Sequence, residues 1–121
     1  MKHLIATVGL LLLATPTVAE ETNASAFFAA DVLYQKCIGP PNEADANQCT
    51  GYIAGVADFL EANRAGNGLP NCIPPDVPLI RVRQTVTRSL LHYVATNPHV
   101  PHSAVGLAAN AITEAWCPDN H

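Results

Sequence analysis

The chain has 121 residues, a formal net charge of −4 and a mean hydropathy of +0.15. That length holds one domain once a leader is set aside, with too little chain left to bury a second core. The balance of 6 Lys+Arg against 10 Asp+Glu argues against nucleic acid and anionic membranes, whose partners carry a basic stripe.

The first residues read as an export signal. Met1-Lys2-His3 is a short positive start, Leu4 to Ala14 is apolar, and Thr17 and Ala19 are small residues at −3 and −1 of a cleavage site. The apolar run is far shorter than the ~20 residues that span a bilayer. We therefore expect a signal peptide over 1–19, cleaved after Ala19, and a periplasmic domain over 20–121. Loss of Lys2 leaves five of the six basic residues, and four of them (Arg64, Arg81, Arg83, Arg88) lie mid-chain.

Four helices follow, separated by Pro- and Gly-rich breaks. The first is expected from Ser25 to Lys36, with Phe27, Phe28, Ala30 and Val32 to Tyr34 as its apolar positions; Gly39-Pro40-Pro41 stops it. The second has the clearest period. Asp45 and Gln48 resemble a capping box, and Cys49, Tyr52, Ile53, Val56, Phe59 and Leu60 follow at i, i+3, i+4 and i+7. Gly51 and Gly55 weaken a helix interior by about 1 kcal/mol each, which suggests close approach by another helix or a partner. Gly66-Asn67-Gly68-Leu69-Pro70 ends this helix. The third is expected from Leu79 to Asn97, with Leu79, Val82, Val86, Leu90, Tyr93 and Val94 inward and Pro98 as its stop. The fourth is expected from Ser103 to Trp116, with Ala104, Val105, Ala108, Ile112 and Trp116 inward. No stretch alternates with period 2, so the expected class is all-α: a small disulfide-stapled bundle of four main helices.

Exported chains of this size use an even cysteine count for disulfides. Four cysteines allow three pairings. The placement of the helices favours Cys37–Cys49, which flanks the first turn, and Cys72–Cys117, which joins the start of helix three to the end of helix four. A metal site is disfavoured because no C-x-x-C is present.

No catalytic constellation emerges. His92, His99 and His102 are the best metal candidates, yet no carboxylate or cysteine lies in the intervening loop to complete a ligand set. Asp58 and Glu61 read as an ordinary exposed pair on helix two, and Gly66-Asn67-Gly68 follows no strand, so it is no phosphate loop. No catalytic, cofactor or metal residue is assigned. Such a domain most often works by binding. The connection from Arg64 to Pro78 holds four prolines, which lower the entropy lost on docking. The partner-contact candidates are Arg64, Asn67, Leu69 and Asn71 there, with Arg81, Arg88 and His92 as a cationic strip on helix three.

The run Cys49-Thr50-Gly51-Tyr52-Ile53-Ala54-Gly55-Val56, then Cys72-Ile73-Pro74, Tyr93 to Pro98, and Ala115-Trp116-Cys117-Pro118, resembles the Rap/Tai immunity protein family. The likeness covers about Ala26 to Pro118, and the cysteine–Gly-Tyr-Ile-x-Gly segment is its most specific part. Two departures stand out: Trp116-Cys117-Pro118 replaces an aromatic followed by Pro-Cys, and Pro78 replaces a polar cap before helix three. The resemblance implies a small exported helical inhibitor, commonly dimeric. Its expected partner is a peptidoglycan amidase toxin delivered by type VI secretion, whose cysteine–histidine cleft it occludes. Two other classes compete. An acid-activated periplasmic chaperone would use the four histidines of the mature chain, and a small enzyme would use His92, His99 and His102.

Overall fold

The computed structural model of the protein describes residues 28–97 and 103–117. The expected signal peptide, Phe27, His99, His102 and His121 lie outside the described residues. Within them the chain forms four helices: α1 (Ala30–Ile38), α2 (Glu43–Gly66), α3 (Leu79–Thr96) and α4 (Ala104–Trp116). Every pair of helices is in contact. The result is the all-α bundle expected from the hydrophobic periods.

The first helix begins later than its apolar pattern suggested. Ala29 is extended (φ −76°, ψ 161°) and bridges Ser103, and the Ala104 N–H donates to the Phe28 carbonyl at 3.1 Å. The backbone groups here are spent on the chain leading into α4, which holds the starts of the two helices together. At the other end the Gly39 N–H donates to the Gln35 carbonyl oxygen at 2.7 Å. A Cβ on residue 39 would collide with that same oxygen.

The cap of α2 is Asn42, whose side chain accepts from the Asp45 N–H at 3.3 Å. Asp45 is therefore inside the first turn, not the cap expected from its spacing to Gln48. Its carboxylate instead accepts from Lys36 Nζ at 3.1 Å and ties α2 to α1. Lys36 also lies 5.7 Å from the Phe28 ring, and that ring stands 5.2 Å from Tyr52. Burial pushes the Tyr52 phenol above its ordinary value.

The inward face of α2 is Cys49, Ile53, Val56 and Ala57. Phe59, expected inward, is 70 % exposed. At 100° per residue it projects about 120° away from Ile53. Gly51 and Gly55 project about 160° from Ile53, and nothing lies within 4 Å of a Cβ built on either. No helix of this domain fills that space, so the expected close approach does not come from within the described fold. In α3 the buried stripe is Val82, Val86 and Leu90, while Leu79 is exposed where the helix leaves Pro78.

The core consists of Leu33, Ile53, Val86, Leu90 and Ile112 with the small residues of α4, and no polar residue is buried among the described ones. Burial of each large side chain contributes about 1.5–3 kcal/mol. Alanines 104, 108 and 111 of α4 let it sit close to its neighbours. Both disulfides take the expected pairing, Cys37–Cys49 and Cys72–Cys117. By loop-closure entropy they stabilise the fold by about 3 and about 4 kcal/mol.

Candidate functional site: a pinned loop and a cationic cleft

The connection from α2 to α3 runs over residues 67–78. Its first turn follows from Gly68, whose φ of +68° lies in the left-handed region that suits glycine. The Leu69 N–H then donates to the Arg64 carbonyl at 2.9 Å, closing the end of α2. From there the last turns of α2 grip the loop. Arg64 Nε donates to the Pro70 carbonyl at 2.7 Å. The two carboxylate oxygens of Glu61 accept from the Cys72 N–H at 3.1 Å and the Ile73 N–H at 2.7 Å. Cys72 is bonded to Cys117 at the end of α4, and Ile73 and Val77 pack against the core.

Glu61 therefore corrects the expectation of an ordinary exposed acidic face: it orders the loop. A carboxylate on a helix exit gives no sequence sign of which N–H groups will fold back onto it. Arg64 and Asn67, expected as partner contacts, also have internal work. Asn67 Nδ2 donates to the Asn63 carbonyl at 2.7 Å. Asn67, Leu69 (46 % exposed) and Asn71 are the exposed residues of this group, and Leu69 and Asn71 have no side-chain bond to the helix.

Beside the loop lies an open cleft of about 460 Å³. Pro78, Arg81 and Arg88 line it from the start and the length of α3, Trp116 lines it from the end of α4, and Asp76 of the loop shares the lining. The fold brings Arg81 and Arg88 together as expected, because seven residues are two helical turns. His92 is exposed further along α3, outside this lining. Arg88 also borders a second groove, with Cys37, Ile80, Arg83, Thr87 and Leu91. Ile80 and Leu91 are about half exposed there, at 55 % and 48 %. Arg83 is a strut: its Nη1 donates to Thr50 Oγ1 at 3.1 Å, and that hydroxyl donates to the Ala46 carbonyl at 2.9 Å.

Sequence reasoning missed Trp116 as a surface element, because its period placed it inward. It is partly buried against the core and still forms one wall of the cleft. Among the described residues no group of three His, Cys, Asp or Glu side chains is arranged to hold a metal ion. No helix among them is long and apolar enough to cross a membrane.

The described residues thus form an all-α, doubly disulfide-bonded domain whose surface carries a pinned loop and a cationic cleft. Residues 29–117 match the model of the Rap1a immunity proteins, and the chain belongs to that family. No curated protein and no solved structure matches the chain.

Proposed function

We propose that this protein is a periplasmic immunity protein. In this reading it binds a peptidoglycan amidase toxin delivered by type VI secretion and blocks its cleft sterically, without a reaction of its own. The observation that carries the reading is the family match, which spans every helix of the bundle. Two disulfides support export to an oxidising compartment, and the apolar leader with Ala19 at its cleavage site supports the same route. A loop held by Glu61, Arg64 and Cys72 is already ordered before contact, so little entropy is lost when it enters a partner's cleft. We further propose that the domain acts as a homodimer.

The test pairs the chain with an amidase-like product of a neighbouring gene. Cells that send the amidase to the periplasm should lyse, and co-expression of the exported chain should protect them while a chain lacking residues 2–19 should not. Purified protein should bind the amidase at micromolar concentration or tighter and abolish its turnover. Sedimentation of the free chain should give twice the monomer mass. Absence of both protection and binding would sink the immunity reading for that pair.

A further inference from the structure

The lysine and arginine side chains among the described residues fall into two groups. Lys36 is paired with Asp45, Arg64 holds the Pro70 carbonyl, and Arg83 holds Thr50. Arg81 and Arg88 are different. Among the described residues neither side chain has a hydrogen bond or an ion pair, both are exposed, and both line the cleft walled by Trp116. One carboxylate, Asp76, shares that lining and is paired with neither guanidinium. The cleft is thus net positive in a chain whose formal net charge is −4.

We infer that this cleft is the charge-reading half of the partner interface and receives acidic side chains of the toxin. The inference rests on the proposed immunity function and adds to it the surface and the chemistry of the partner. Two guanidiniums two helical turns apart stand about 10 Å from each other along α3. That spacing fits a toxin segment with two carboxylates, each free to make a bidentate contact with one arginine. The surroundings favour a protein over a small anion. The cleft is open, its walls include Pro78 and Trp116, and Ile80 and Leu91 continue an apolar surface on the other side of Arg88. Arginine and tryptophan beside exposed aliphatic side chains form the composition of an interface centre. Unspent guanidiniums lose no internal bond on docking, which leaves their full donor capacity for the partner.

The experiment compares wild type, R81Q/R88Q and K36Q for binding to the same amidase-like neighbouring-gene product, across a series of salt concentrations. Thermal melts should coincide for wild type and R81Q/R88Q, because neither arginine holds anything in the fold. R81Q/R88Q should bind about 30-fold more weakly or worse, with a slower association rate and a flatter salt dependence. K36Q removes a cation that does not line the cleft and should keep the wild-type salt slope. Full-strength, equally salt-dependent binding by R81Q/R88Q would overturn the inference and leave the immunity function standing. Absence of binding by the wild type would instead remove the function on which it rests.

Discussion

The loop after α2 and the outward face of α3 are neighbours that use polar side chains in opposite ways. To hold the loop, Glu61 and Arg64 at the end of α2 are spent on its backbone groups at Pro70, Cys72 and Ile73. On α3 Arg81 and Arg88 are spent on nothing among the described residues. Both regions are polar and near the surface, so composition alone makes them look alike. The difference teaches that one part of the surface fixes a shape and the other keeps its donors free.

The largest effect expected from breaking the pinned side comes from C72S/C117S. The closed loop spans 45 residues, so chemical denaturation should show a loss of about 4 kcal/mol, roughly 1 more than C37S/C49S with its span of 12. Equal losses would mean that the loop is held chiefly by its polar contacts.

E61A comes next. It leaves the Cys72 and Ile73 N–H groups without their carboxylate and should cost about 2 kcal/mol, a drop of ~10 °C in Tm for a domain of this size. Faster proteolysis between Leu69 and Asp76 should accompany it. An unchanged melt would show that the disulfide alone orders the loop.

The smallest effect sharpens the comparison from a third surface. A Cβ at Gly55 meets nothing within 4 Å, so G55A should stabilise the isolated domain by about 0.5–1 kcal/mol through helix propensity. A weaker dimer or toxin complex in spite of that gain would locate a partner's backbone against this face of α2.

Much of the architecture was legible because helical packing repeats every 3.6 residues. Ile53 and Val56, Val82, Val86 and Leu90, and Ala108 and Ile112 fell on their inward faces with no knowledge of their neighbours. The placement of the helices favoured one of three disulfide pairings, and the structure has that one. Where the pattern misled, the error was angular or terminal. Phe59 sits at the edge of its stripe, Leu79 lies in the first turn, and Asn42 captured the cap from Asp45 by lying where the chain enters the helix. The candidate site was half legible. Arg81 and Arg88 share a face by spacing alone, but Arg64 and Asn67 spend donors within the fold, Glu61 gave no sign of the N–H groups it holds, and the inward period of Trp116 hid the wall it also gives the cleft.

The sequence by itself determined the number of helices, most of each inward stripe, the even cysteine count and the family resemblance, because each is written in local period, spacing or motif. Tertiary structure alone decided which polar side chains are consumed inside the fold and which stay free for a partner. The hydrogen bond from the Ile73 N–H to the Glu61 carboxylate joins residues 12 apart in sequence, and Trp116 meets Arg81 and Arg88 across the cleft only once α4 has packed on α3. Such encounters depend on where the chain returns in space, and residue types along it do not encode that locally.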